Sequence, residues 1–185
     1  MSLASLGPVI AAIREESELE QAINSPVKTI FLLSSDLINS KRVVQMVQGE
    51  GKQIFLHVDL VRGLGSDPEA IRYIAREIKP DGIISTKTQA VMAAKVEGLP
   101  SIQRVFALDS QALAKLTRSI SAVEPDAIEI LPGLLPKVIM DLKKKFSIPV
   151  ITGGLISEED EVEILLKVGA SGISTSSSKL WNWTR

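Results

Sequence analysis

The chain has 185 residues, 45% of them hydrophobic and 23% charged, which suits a single domain with a real core and excludes a disordered chain. Lys and Arg number 21 against 22 Asp and Glu, so the formal net charge is −1, and no global field draws the molecule toward nucleic acid or an anionic membrane. Cysteine is absent, which removes disulfides, thiolate metal sites and cysteine nucleophiles and fits a reducing cytoplasm. No signal peptide is recognisable, and no apolar run approaches the ~18–20 residues of a membrane helix.

Short apolar runs recur along the chain. Strands are predicted from Val9 (VIAAI), Thr29 (TIFLL), Gln53 (QIFLHV), Gly82 (GIIS), Ile102 (IQRVFAL), Asp126 (DAIEIL), Pro149 (PVIT) and Gly172 (GIST). Successive starts lie about 20 to 29 residues apart, room for one strand, one short helix and two loops, the unit of a parallel sheet. The intervening segments read as helices. Asp67-Pro68 sets a capping carboxylate before a proline, and Ile71, Ile74 and Ile78 follow at helical spacing. Leu113, Leu116 and Ile120 make a stripe after Asp109-Ser110, and Val138, Ile139, Leu142 and Phe146 another after Pro136. In the seventh segment Ser157, with Asp160 three residues on, looks like the cap of a helix carrying Val162, Leu165 and Leu166, which Gly169 closes. Lys79-Pro80-Asp81-Gly82-Ile83 is repeated in outline by Glu124-Pro125-Asp126-Ala127-Ile128.

Eight such units predict one domain over residues 1–185, a compact (β/α)8 TIM-like barrel. The chain is short for that fold, and only a brief tail follows the last strand, so the eighth helix is expected to be a single turn or missing. Periodicity cannot register closure, and an open doubly wound sheet is the alternative.

Chemistry is expected at the strand ends. Strand seven runs into Thr152-Gly153-Gly154-Leu155, and strand eight into Thr175-Ser176-Ser177-Ser178-Lys179. Loops in these places often hold a phosphate, because glycine lets backbone N–H groups approach an anion and hydroxyls add donors. Two ordinary tight turns are the simpler explanation of Gly153-Gly154 alone. Strand three places His57 and Asp59 on one face with Phe55 and Gln53. Facing the barrel interior, this pair either orients a ligand or forms a buried polar contact; Arg62, just beyond, meets a phosphate or is solvated. Lys87 follows strand four, as a ligand contact or an exposed residue at a helix start. Glu129 shares the face of Ala127 in strand six, and an inward carboxylate needs a partner, for which Arg104 is the candidate. One histidine and scattered acids match no metal pattern. Lys143-Lys144-Lys145 is the densest basic cluster; it serves RNA or suits the end of a helix.

Several of these blocks together resemble the glycerol uptake operon antiterminator regulatory proteins of Gram-positive bacteria. They are Val9-Ile10-Ala11-Ala12, Ile30-Phe31-Leu32-Leu33, His57-Val58-Asp59-Leu60-Val61-Arg62-Gly63-Leu64, Pro80-Asp81-Gly82-Ile83-Ile84-Ser85-Thr86-Lys87, Pro125-Asp126-Ala127-Ile128-Glu129-Ile130-Leu131-Pro132-Gly133 and Thr152-Gly153-Gly154-Leu155-Ile156. The resemblance spans nearly the whole chain and implies a small (β/α) barrel. It also implies a regulator rather than an enzyme, without a cofactor, that binds glycerol 3-phosphate and the leader messenger RNA of a glycerol catabolic operon in transcription antitermination. The expected ligand contacts are then Gly153, Gly154, Thr175 and Ser176 for the phosphate, with His57, Asp59, Arg62, Lys87 and Glu129 around it, and Lys143, Lys144 and Lys145 for RNA. The expected setting is the cytoplasm, with no membrane and with self-association into a homo-oligomer allowed. Near neutrality requires the RNA surface to be local, oligomeric or weak. The competing expectations are a phosphosugar or glycerol-phosphate enzyme using Lys87, Asp59 and Glu129, and a metabolite sensor acting through a protein partner.

Overall fold

The computed structural model describes residues 6–184, so the two ends of the expected domain lie outside the described residues. Eight parallel strands close into a barrel: β1 (Val9–Ile13), β2 (Thr29–Leu32), β3 (Gln53–His57), β4 (Gly82–Ser85), β5 (Ser101–Phe106), β6 (Ala127–Leu131), β7 (Val150–Gly153) and β8 (Gly172–Thr175). Each strand pairs with its neighbours in chain order, and β8 returns to β1 through Val9↔Ile173 and Ala11↔Thr175. The closed barrel therefore replaces the open-sheet alternative. The helices are α1 (Leu19–Asn24), α2 (Ser40–Gly49), α3 (Pro68–Tyr73, continued by a π-turn over Ile74–Ile78), α4 (Thr88–Val96), α5 (Ser110–Val123), α6 (Pro136–Lys145) and α7 (Glu159–Lys167).

Strand alternation divides the core in two. Ile30, Leu32, Ile54, Leu56, Ile83, Ile128, Ile130 and Ile173 face outward, where the helices lay their apolar stripes. Ile10, Ala12, Phe31, Phe55, Ile84, Ile102, Ala127 and Ile151 fill the barrel itself, with Leu6 joining from below. Phe31 and Phe55 are paired by register, and their rings meet edge to face at 5.7 Å.

Local chemistry mostly sets the helix ends where expected. Asp67 accepts the Ala70 N–H and Asp109 that of Ala112. Gly169, at φ +105°, follows α7. At the start of α7 the cap is Glu158, in a capping box with Glu161, and not Ser157; the longer carboxylates reach both backbone donors, and Ser157 N–H also donates to Glu161. The repeated Pro-Asp blocks share one geometry. Lys79 (φ 59°) and Glu124 (φ 50°) each end a helix in the left-handed region. Asp81 then accepts the Ile54 N–H, and Asp126 the Ser101 N–H, so each aspartate pins the start of the preceding strand.

Among the described residues no eighth helix follows β8, as expected. One 3-10 turn (Leu180–Asn182) takes its place, and Trp181, 1% exposed, fills the gap and donates from Nε1 to the Thr175 carbonyl.

Candidate functional site

Strand direction places the ends of all eight strands, and the loops that follow them, at one end of the barrel. Inside that mouth, register sets Arg104 of β5 beside Glu129 of β6. Arg104 Nε donates to Glu129 Oε2 at 2.6 Å, and both side chains are buried. A buried carboxylate is tolerated because the guanidinium compensates it. The second oxygen, Oε1, has no protein partner. Gly153 closes this corner from β7: a Cβ there would stand 3.0 Å from Glu129 Oε1 and 3.0 Å from the Ser174 carbonyl. A Cβ here would need Glu129 or Ser174 to give by a few tenths of an ångström, so glycine keeps the corner open.

His57 ends β3 on the same inner face, 3% exposed, with Nδ1 unpartnered. Burial, followed by the positive charge of Arg104, pushes its pKa down to about 4 against the opposing pull of Asp59. The imidazole is therefore neutral at physiological pH.

Asp59 does not continue the inward face of β3. The strand stops at His57, and a 3-10 turn over Val58–Leu60 swings Asp59 toward β4. There it accepts from Ser85 Oγ at 2.6 Å and from Thr86 N and Oγ1, both at 2.7 Å. Burial raises its pKa, but these hydrogen bonds together outweigh burial and hold the carboxyl below its ordinary value. These bonds fasten the β3 and β4 loops to each other.

The loops after β7 and β8 lie side by side. Gly154 (φ +78°) and the exposed Leu155 (φ +62°) turn the chain, and the Gly154 carbonyl accepts from Gly133 N–H. Thr175 is buried, and its hydroxyl donates to the Ile156 carbonyl at 2.8 Å and accepts from Ser177 N–H, bracing the two loops against each other. Ser176 is exposed at the rim. Lys179 is engaged by Glu158 at 3.1 Å.

Arg62 and Lys87 are exposed on the rim. Arg62 belongs to a two-residue parallel ribbon with Ser35–Asp36 and approaches Asp36 at 3.5 Å. Lys87 precedes α4 and donates to Ser66 Oγ at 2.7 Å. A cavity of about 360 Å3 opens beside the ribbon, above β1 and β2, lined by Arg14, Ser34, Ser35, Asp36 and Arg62 among others. Since β8 neighbours β1, it continues the arc begun by the β7 and β8 loops. Arg14, Ser34 and Ser35 carry no motif in the sequence, and only closure brings them into this company. Lys143, Lys144 and Lys145 form the last turn of α6 and lie at the opposite end of the barrel. Among the described residues no cluster of three or more His, Cys, Asp or Glu is placed to hold a metal ion.

A family model described as glycerol-3-phosphate responsive antiterminator matches residues 9–181. A solved structure of the glycerol uptake operon antiterminator regulatory protein from Listeria monocytogenes is 36% identical, covers 100% of both chains and superposes with a TM-score of 0.94. A glycerol uptake operon antiterminator-related protein from Thermotoga maritima is also 36% identical, over 95% of this chain and 98% of that one, with a TM-score of 0.85. The uncharacterized protein YgcP of Escherichia coli is 33% identical over 98% of this chain and 95% of its own length.

Proposed function

Because this chain belongs to the glycerol-3-phosphate responsive antiterminator family, we propose that it is a ligand-gated, RNA-binding transcription antiterminator of a glycerol catabolic operon, working in the cytoplasm as one barrel domain. Glycerol 3-phosphate is the proposed ligand and the operon's leader messenger RNA the proposed target. The observation that carries the ligand half is the polar corner of the mouth: a neutral His57 and the Arg104–Glu129 pair, with an unpartnered acceptor at Glu129 Oε1 beside Gly153. A buried polar atom without a partner is a position where a ligand hydroxyl is worth most. The hydroxyls of the ligand face this corner, and its phosphate takes the rim, from Gly153-Gly154 and Ser176 round to Arg62.

Roles within the expected set differ. Thr175 supports the rim through its braces, and Asp59 shapes the β3–β4 wall instead of taking a ligand hydroxyl. Lys87 stands farther out on the rim. Lys143, Lys144 and Lys145 are assigned to RNA. The catalytic alternative draws less support, since Asp59, Glu129 and Lys87, its three chemical groups, are each held by a protein partner.

The test is a titration of labelled glycerol-operon leader RNA with and without glycerol 3-phosphate, at two salt concentrations. Saturable binding that tightens with the ligand and weakens with salt is expected, because phosphate contacts release counterions. Ligand-independent binding, or none, overturns the reading. In calorimetry, Gly153→Ala should weaken binding of glycerol 3-phosphate by crowding Glu129; unchanged affinity would move the ligand away from this corner.

A further inference from the structure

Near neutrality conceals an uneven distribution of charge along the barrel axis. First turns of helices, at the mouth, are acidic in α1, α3 and α7, whereas last turns at the far end carry Lys95, Lys143–Lys145 and Lys167. Several other cations are answered by carboxylates: Arg42 by Glu16, Lys41 by Glu77, Arg72 and Arg76 by Glu97, Lys95 by Glu124 and Lys179 by Glu158. Lys28, Lys143, Lys144, Lys145 and Lys167 are all exposed. Among the described residues none of them has a carboxylate partner.

These lysines occupy neighbouring turns, because β7, β8, β1 and β2 are consecutive around the barrel. The stem of Lys143 lies 3.8 Å from the position of a Cβ on Gly169, two residues beyond Lys167. Residues 146–149, 168–171 and 25–28, which lead into β7, β8 and β2, contain no Asp or Glu. At the edge of this arc the half-buried Trp183 lines a cavity of about 200 Å3 with Pro8, Pro26 and Lys28. The chain has only two tryptophans, and the other, Trp181, is sealed in the core.

We propose that this arc is the surface for single-stranded RNA, with Lys143–Lys145, Lys167 and Lys28 tracking the phosphates and the Trp183 slot receiving one unstacked base. It rests on the regulator reading above and extends the basic cluster of α6 into a continuous surface. Unpaired lysines give up no intramolecular ion pair on binding, and phosphate neutralisation supplies affinity by counterion release. An aromatic flanked by a cation is the usual platform for a base of any identity. A protein with no global field can bind RNA through such a local surface.

The leader RNA is titrated against the unmodified protein, Lys28→Glu/Lys167→Glu, Trp183→Ala, Trp183→Phe and, as a control at the mouth end of α6, Lys137→Glu. Melting temperature and glycerol 3-phosphate binding are recorded for each, so that misfolding is separated from lost contact. The lysine reversals should flatten the dependence of log affinity on log salt by about one unit per lysine. Trp183→Ala should weaken binding about 5- to 150-fold, Trp183→Phe should restore most of it, and Lys137→Glu should change nothing. Folded lysine and tryptophan variants that bind RNA like the unmodified protein would overturn the surface while leaving the regulator reading intact. Absence of RNA binding by the unmodified protein would overturn both.

Discussion

At the scale of single residues, the mouth illustrates how a buried group acquires its protonation state. His57 is 3% exposed, with Arg104 nearby, so the folded protein refuses a proton until about pH 4, whereas an unfolded chain accepts one near 6.5. The unfolded state therefore binds more protons between these values. Stability from this source is fully present above pH 6.5, falls as pH drops through that window, and is gone below pH 4, a loss of about 3 kcal/mol. Urea unfolding at pH 7 and pH 4.5 should show a smaller difference in His57→Gln than in the unmodified protein; equal differences would refute a buried neutral imidazole. Of the nine ligand residues expected from sequence, His57, Glu129 and Gly153 do converge on one corner. Arg104 was legible only as a partner for Glu129, because a strand's alternation shows which way a side chain points and not what it meets across the sheet.

At the scale of elements, the repeated Pro-Asp turns and the Trp181 plug carry the energetics. Lys79 and Glu124 adopt a left-handed conformation that costs about 1–2 kcal/mol for a residue with a Cβ. Lys79→Gly and Glu124→Gly should each raise the melting temperature by about 2–4 °C, the smaller gain at Glu124, which also holds Lys95. Asp81→Ala should cost about 1–2 kcal/mol, because the Ile54 N–H loses its acceptor at the foot of β3. Trp181→Ala should cost about 3–5 kcal/mol, read as a shift in the denaturation midpoint, since a fully buried large side chain is lost from the turn that follows β8. Most of this level was readable in advance. Helices between the strands and the stripes of α3, α5, α6 and α7 follow from spacing, and strand starts fall within one residue of expectation. The end of β3 was not readable, because HVDLVRG alternates on paper through a point where the backbone turns.

For the whole molecule, the decisive feature is polarity along the barrel axis. Strand ends and acidic first turns face one way, lysine-rich last turns the other, so the proposed ligand corner and the proposed RNA arc lie at opposite ends. Perturbations at such separated sites should be independent to first order. Calorimetry on Lys143→Glu/Lys144→Glu/Lys145→Glu should therefore give an affinity for glycerol 3-phosphate within about twofold of the unmodified protein. A larger change would show that the two ends are coupled through the barrel in the absence of RNA, and any such coupling must act equally in both directions.

The sequence by itself determined the class of fold, the number of βα units and the residue types available for chemistry, because these depend on period, spacing and local capping. Only the tertiary structure decided that the sheet closes, that β8 meets β1, and that Arg14, Ser34 and Ser35 join the mouth. It also decided that Asp59 is held by Ser85 and Thr86, and that Lys28, Lys167 and Trp183 share the far end with Lys143. Closure and register are contacts between residues far apart in the chain, and hydrophobic period carries no record of them.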